Sequence, residues 1–378
     1  MPKQKQKILI AMSGGVDSSV AAALLVEQGY SVTAAYMINY DKKVSNAERK
    51  FVQQSCCIPD YRDALRVSAK LGISLLKLNF QKEYKKHVLD YMFAEYKKGR
   101  TPNPDVYCNK YIKFGFWLEK MKELGFDKLA TGHYAKIKIL NKIQPSSRAQ
   151  VEGDTHNKIQ FSLMEAADKN KDQTYFLHQL NQEQLSQTLF PLGEYTKQEV
   201  RKLAKKFELP TENKAESMGI CFIGEVPMKE FLSAEIKSKP GKIIKNSTKE
   251  ILGDHDGLSF YTIGQRHGLH QLGGDKPLFV LEKNIKKNEL VVGYEDDPIL
   301  YKNKIKIEEM HWINGQPPKF PLKCTARLRH RQVFQDVSCK MIDGNYIFEF
   351  KKKQKAITPG QFIVLYKDGE CLGGGVIT

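Results

Sequence analysis

Short apolar runs alternate with amphipathic stretches through the first half of the chain. Lys7 to Met12 (KILIAM) reads as a buried parallel strand. Asp17 to Gln28 follows as a helix, stopped by Gly29 at its C′ position. Ser31 to Met37, Ser74 to Phe80 and Lys128 to Thr131 read as further strands. Between them Tyr61 to Leu71, Gln81 to Lys98 and Cys108 to Leu124 read as helices. Thr196-Lys197-Gln198-Glu199 is a capping box whose helix runs to about Phe207, and Pro210 ends it. This alternation predicts an α/β fold, a doubly wound parallel sheet with helices on both faces. Asn141 to Asn157 is polar and reads as a loop or a hairpin excursion. After about Gly219 the pattern changes to short alternating runs: Leu278 to Leu281, Glu289 to Val292, Thr325 to Arg331, Tyr346 to Phe350 and Phe362 to Tyr366. The second half is therefore expected to be mainly β.

With 378 residues, 41% of them hydrophobic and 27% charged, the chain can fill two or three domain cores, and disorder is not the default reading. Lysine and arginine outnumber aspartate and glutamate by 60 to 43, a net charge of +17. That balance favours a polyanionic partner, whose phosphates release counterions on neutralisation. A lysine-rich proteome gives the same number. No run of about 18 apolar residues appears, so no membrane span is expected. The basic, briefly apolar start from Met1 to Met12 is too short for a signal peptide. Seven cysteines, with no compact spacing and no C-x-x-C pair, point to free thiols in a reducing cytoplasm. No Cys/His cluster stands at zinc spacing, and no tightly bound protein metal is expected.

Three loops carry candidate chemistry. Ser13-Gly14-Gly15-Val16-Asp17-Ser18-Ser19 lies between a strand and a helix. Its glycines permit tight turning and close approach to phosphate, while the helix N-terminus and the hydroxyls of Ser13, Ser18 and Ser19 offer donors to an anion. It is neither a Walker loop nor a dinucleotide fingerprint. The second loop, Thr101 to Lys110, holds Cys108 behind Pro102 and Pro104. A cysteine opening a helix has its thiolate stabilised there, and Lys110 would add to that. Asp105 reads as a general acid or base, or as the N-cap. The third, Ser217 to Gly224, sets Cys221 among glycines and bulky apolar residues. Each cysteine alone also suits a structural role; if the first loop serves adenylation, two thiols in such loops suggest sulfur transfer. Lys171-Asp172-Gln173-Thr174 reads by itself as a helix N-cap. On a strand, Arg327, Arg329 and Arg331 would share one face, either a phosphate-binding surface or a solvated edge strand.

The first loop resembles the pyrophosphate loop of the ATP-pyrophosphatases. The ordered set of motifs resembles the tRNA-specific 2-thiouridylases nearly end to end. It comprises Ala11 to Val20, Arg100 to Asn109 (RTPNPDVYCN), Ala130 to Tyr134, Lys171-Asp172-Gln173 with Tyr175-Phe176-Leu177, Gly219 to Gly224 (GICFIG), Thr262 to Arg266, Pro359-Gly360-Gln361 and Leu372 to Gly375. Three positions depart from the usual pattern: Glu216-Ser217-Met218-Gly219 before Cys221, Tyr40 where Trp is common, and His330 where Tyr is common.

The resemblance implies sulfuration of a wobble uridine in tRNA, with ATP as co-substrate, Mg²⁺, and a persulfide donor such as a cysteine desulfurase or sulfur-relay protein. It implies that Ala11, Met12, Ser13, Gly14, Gly15, Val16, Asp17, Ser18 and Met37 hold ATP, with Gly132 closing the pocket. Cys108 matches the family's nucleophile and Cys221 its persulfide carrier. Asn103, Pro104 and Asp105 match contacts to the base; His133, Lys171, Asp172, Gln173, Arg329, His330 and Gln361 match tRNA-contacting positions. The domains expected are an ATP-pyrophosphatase domain over 1–218, a small central domain over 219–293 and a β-barrel-like tRNA-binding domain over 294–378. Cys108 either attacks the Cys221 persulfide to release sulfide or resolves an adduct as a Cys108–Cys221 disulfide. The Cys221 loop is expected to rearrange on tRNA binding. Two rival readings remain, an ATP-pyrophosphatase acting on another substrate and an RNA-binding protein with a relict loop.

Overall fold

A strand buried on both faces sends alternate side chains into two separate cores, and the first strand of this protein does so. The computed structural model describes residues 5–39, 57–140, 159–216, 219, 221, 223, 227–269 and 276–378. The 141–157 connection, Tyr40, Cys56, and Ser217, Met218, Ile220, Phe222 and Gly224 of the Cys221 loop lie outside the described residues. Strand β1 is Lys7–Ala11, β2 Ser31–Ile38, β3 Leu75–Asn79 and β4 Lys128–Ala130. Next come β5 (Lys136–Leu140) and β6 (Gln160–Met164), which leave for another sheet, and then β7 (Thr188–Leu189). The first sheet is parallel in the order β3-β2-β1-β4-β7.

Ile8 and Ile10 pack with Val20 and Leu24 of helix α1 (Val16–Glu27) and with Ala64 of α2 (Cys57–Leu71). Leu9, on the opposite face, packs with Tyr84 and Val88 of α3 (residues 81–97) and Ile112 and Trp117 of α4 (residues 104–123). That is the doubly wound arrangement. Because β2 and β4 flank β1 on opposite sides, the loops after β1 and β4 face each other at the topological switch point, where open parallel sheets bind ligands.

Helices α3 and α4 are not uniformly α-helical. Lys85–Leu89 in α3 and Cys108–Phe116 in α4 are wound as π-helix. Helix α4 also starts four residues earlier than expected, at Pro104 with Asn103 in the N-cap position. Proline suits that first turn because it has no amide to leave unpaired. Short helices α5 (Thr174–Leu177) and α6 (Gln182–Ser186) follow, then α7 (Lys197–Lys206). Helix α7 carries the expected capping box, Thr196 with Glu199.

The second half is mainly β. Strands β8 (Gly241–Lys245), β9 (Ile251–His255), β10 (Phe279–Asn284) and β11 (Glu289–Gly293) form a small sheet in the order β10-β11-β8-β9. The last sheet contains β12 (Tyr301–Ile307), β13 (Met310–Trp312), β14 (Leu322–Arg327), β15 (Gln335–Ile342), β16 (Asn345–Lys355), β17 (Phe362–Lys367) and β18 (Glu370–Val376). It also recruits the β5–β6 pair, since Glu370 and Cys371 pair with Met164 and Leu163. Among the described residues no helix is long and apolar enough to cross a membrane.

The arginine face expected over Thr325 to Arg331 does not form. Strand β14 ends at Arg327, and Arg331 takes a φ of +63° as the chain turns. Nor is β14 an edge strand, for it lies between β15 and β17. Arg327 is 6% exposed and sits 3.9 Å over the Phe334 ring. It donates to Asp172 Oδ2 at 3.1 Å and lies 3.9 Å from Glu165. This pair joins the last sheet to the first half. Arg327→Ala would strand the Asp172 carboxylate, and is expected to cost about 3–5 kcal/mol in a urea-unfolding comparison with wild type.

Candidate active site

The loop between β1 and α1 is shaped by two close approaches. Gly14 has a φ of +77°, and a Cβ there would stand 2.1 Å from the Asp60 carbonyl oxygen. Gly132, in the loop after β4, packs so closely that its Cβ would stand 2.8 Å from Ser18 N. Gly15 occupies the N-cap position of α1 with no side-chain cap, which leaves the first-turn amides for an incoming anion. The Ser13 and Ser18 hydroxyls lie 3.1 Å apart, and Ser18 Oγ accepts from Ser13 N. Ser19 differs from expectation. It is fully buried and donates to Gly15 O at 2.7 Å, so its hydroxyl closes the helix turn and does not point to an anion. Ala11 ends β1 half-buried, Met12 and Val16 are buried, and Met37 on β2 belongs to the core beneath α3 and α4.

Two lysines brace this loop, and neither stands in a loop motif. Lys214 Nζ donates to Gly14 O at 2.9 Å and pairs with Asp60 and Asp63, each at 2.6 Å. Lys197, the first residue of α7, reaches Asp17 Oδ1 at 2.6 Å, and the Tyr134 hydroxyl donates to the same oxygen at 2.9 Å. Lys197 also contacts Glu216 at 3.4 Å, and Glu216 pairs with Lys171 at 2.5 Å. The root of the Cys221 segment is thus tied to the β1–α1 loop.

Cys108 and Cys221 meet. Both are free thiols, and the two side chains lie near enough for each to shift the other's ionisation. The Cys221 amide donates to Asp105 Oδ1 at 3.1 Å, and the Tyr84 hydroxyl donates to Cys221 O at 2.7 Å. Asp105 is therefore not the N-cap; it lies in the first turn and seats the Cys221 backbone. Burial pushes its carboxyl above the usual range, against the Cys221 amide and Lys113.

Cys108 corrects a second expectation. It lies one turn inside α4, fully buried, and burial pushes its thiol well above the ordinary value, with the bond to Cys221 adding to the rise. Cys221 moves the other way, lowered first by the hydrogen bond from Cys108 and then by Lys113. Lys110 is occupied elsewhere, donating to Gln179 Oε1 at 3.1 Å. The cysteine cluster adjoins the β1–α1 loop through the chain after β4. His133 packs 5.7 Å from Phe114, next to Lys113, while its neighbour Gly132 touches Ser18.

Residues 6–225 match the family described as tRNA methyl transferase HUP domain, 229–294 the tRNA methyl transferase PRC-barrel domain, and 302–377 the aminomethyltransferase beta-barrel domain. The chain is 43% identical over 374 residues to tRNA-specific 2-thiouridylase MnmA 2 of Geobacillus kaustophilus (strain HTA426), covering 98% of this chain and 94% of that one. It is likewise 43% identical over 379 residues to tRNA-specific 2-thiouridylase MnmA of Pseudomonas fluorescens (strain Pf0-1), covering 99% and 95%. The chain belongs to the tRNA-specific 2-thiouridylase family.

Several positions that the 2-thiouridylase resemblance links to tRNA come together. Asp172, 2% exposed, accepts from Arg327, from Thr174 Oγ1 and from Ala166 N, while its own carbonyl lies 3.1 Å from His330 Nε2. Gln173 stands at the N-cap position of α5, as the segment's pattern suggests, but its side-chain oxygen accepts from Tyr134 N and makes no cap bond. Arg329 is exposed, yet it donates to Ala356 O and Thr358 Oγ1. Gln361 donates to the carbonyls of Thr101 and Pro102, holding the approach to half-buried Asn103 and Pro104. His133 is buried against Phe114 and Phe190, with Thr131 Oγ1 2.8 Å from its Nδ1; burial and Lys113 hold its pKa well down. Asp172 and His133 are buried, Lys171 and His330 are half-buried, and Arg329 is exposed.

Proposed function

We propose that this enzyme sulfurates C2 of the wobble uridine of tRNA, with Cys221 as persulfide carrier and Cys108 as its partner. The observation that carries the reading is the pair of free thiols brought together where the Cys221 amide sits on Asp105, beside a loop suited to ATP phosphates. The matched domain descriptions name methyl transfer and the relatives name 2-thiouridylase. Paired thiols favour sulfur chemistry, because methyl transfer needs no second cysteine.

The uracil O2 attacks the α-phosphorus of ATP and pyrophosphate leaves, so the oxygen becomes part of an AMP leaving group. The terminal sulfur of a Cys221 persulfide then bonds to C2 and AMP departs. Cys108 attacks Cys221 Sγ, forming a Cys108–Cys221 disulfide and leaving sulfur on C2. If Cys108 attacks the persulfide first, sulfide is released instead and bonds to C2; the same disulfide results. Either route ends with a disulfide that a cellular thiol must reduce by two electrons. Asp105, with its raised pKa and its seat beside the thiols, suits a proton carrier for the base.

Mg²⁺ fits the loop as an ion carried on the triphosphate, where it offsets phosphate charge. Asp17 is the loop's own carboxylate and would hold the ion there. A persulfide-bearing protein, such as a cysteine desulfurase or a sulfur-relay protein, supplies the sulfur. The cytoplasm, with its tRNA and reducing thiols, is the compartment that suits this cycle. Residues 1–218, 219–293 and 294–378 are taken as the catalytic, central and tRNA-holding units.

The test combines ATP, Mg²⁺, unmodified tRNA and a persulfide donor, with AMP and nucleosides measured. Equal AMP and 2-thiouridine at the wobble position are expected. No AMP would point to an RNA-binding protein with a relict loop, and AMP from a small molecule without tRNA would point to a different substrate.

A further inference from the structure

In an α-helix a residue five positions on is rotated about 140° from the first. In a π-helix the i→i+5 bond brings it back over the first. Cys108 opens a π-helical segment of nine residues, and Lys113 stands five residues later. The wide winding therefore sets Lys113 on the Cys108 face of α4, near enough to both thiols for its ammonium to favour their negative charge. Lys110, nearer in sequence, is turned away to Gln179.

The groups facing Cys221 come from three elements. Helix α4 supplies Asp105, the Cys108 thiol and Lys113. Helix α3 supplies the Tyr84 hydroxyl, which binds the Cys221 carbonyl. The loop after β4 brings His133 next to Lys113, where it is held neutral. Asp105 opposes negative charge on either thiol. Lys113 favours it, and burial of the ammonium is outweighed by Cys221 and Cys108.

We propose that Lys113 is a positioning residue for sulfur loading: the π-helical turn sets its ammonium against Cys221, so that the negative charge of the thiol pair rests on Cys221 and the donor delivers its sulfur there. This rests on the reading of Cys221 as carrier. In the loading step the Cys221 thiolate attacks the terminal sulfur of a donor persulfide. A new S–S bond forms on Cys221, the donor's S–S bond breaks, and the donor leaves as a thiolate that takes up the proton. The ammonium that paired the thiolate then pairs the persulfide anion.

The experiment uses full-length wild type, Lys113→Met, Lys113→Arg and Cys108→Ser. Alkylation of Cys221 by iodoacetamide is followed by peptide mass spectrometry across pH 5 to 10, and persulfide on Cys221 is measured after exposure to glutathione persulfide. In wild type the alkylation midpoint should lie below the ~8.5 of a free cysteine. Lys113→Met should raise it by about one unit or more, with roughly tenfold slower alkylation and loading at pH 7. Lys113→Arg should restore most of both. Cys108→Ser retains Lys113, so its midpoint should stay below the free value; a rise to that value would assign the effect to Cys108 and overturn the proposal. A Lys113→Met profile that superimposes on wild type, with equal loading, overturns it too. Wild type that takes no persulfide on Cys221 defeats the carrier reading instead, and does so whatever the alkylation profiles show.

Discussion

Cys221→Ala protein is expected to release pyrophosphate from ATP in the presence of tRNA while making no 2-thiouridine from a persulfide donor, a loss on the order of 10³-fold or more. The split follows from what the side chain does and does not hold. The segment is seated through its backbone, with the Cys221 amide on Asp105 and the carbonyl on Tyr84, and alanine keeps both bonds. The β1–α1 loop shares no atom with the thiol. Only the sulfur-carrying group is lost. Free sulfide must be excluded, because it can attack an adenylated base without a carrier. Cys108→Ala should fail differently, loading Cys221 but making no 2-thiouridine; a tRNA–protein mixed disulfide that added thiol releases as 2-thiouridine marks the direct route, and a loaded enzyme without that adduct marks the sulfide route. Full thiolation by Cys221→Ala with the persulfide donor would end the carrier assignment.

Gly14→Ala should weaken ATP binding by at least tenfold, about 1.4 kcal/mol or more, measured by titration calorimetry. The left-handed conformation of an alanine costs roughly 1–2 kcal/mol. The larger obstacle is the Cβ, which would stand 2.1 Å from the Asp60 carbonyl. Either α2 or the loop must move, and Lys214 joins both, through Gly14 O on one side and Asp60 and Asp63 on the other. Gly15 provides the contrast. A Cβ there has as its nearest neighbour Ser13 Oγ at 3.5 Å, an ordinary contact, so Gly15→Ala should melt close to wild type. Wild-type ATP affinity in Gly14→Ala would separate this loop from nucleotide binding.

The parts of this architecture written in local patterns were readable in the chain itself. KILIAM, the glycine-rich turn and the helix after it follow one another, so their order names a strand–loop–helix unit. The capping box of Thr196 and Glu199 was legible for the same reason. What lay hidden depends on contacts between distant positions or on uncommon winding. Lys197 meets Asp17 across 180 residues, and no local spacing announces that. The π-helical segment of α4 keeps an apolar face much like that of an α-helix, so Cys108 was expected at a helix end and Lys110 beside it. In fact the helix begins at Pro104 and Lys113 is the cation of the cluster. The arginine run had strand spacing, but the turn at 328–331 splits it.

The pairing of β6 with β18 bears on how the molecule is made. Ser162 donates to Glu370 across 208 residues, and Leu163 pairs with Cys371. During synthesis the β5–β6 pair therefore emerges long before the strand that covers it. Until β18 leaves the ribosome, the nascent chain carries an unpaired strand edge, open to pairing with other chains. Completion of the catalytic half is thus a late event, and a chain stopped before Glu370 retains that open edge.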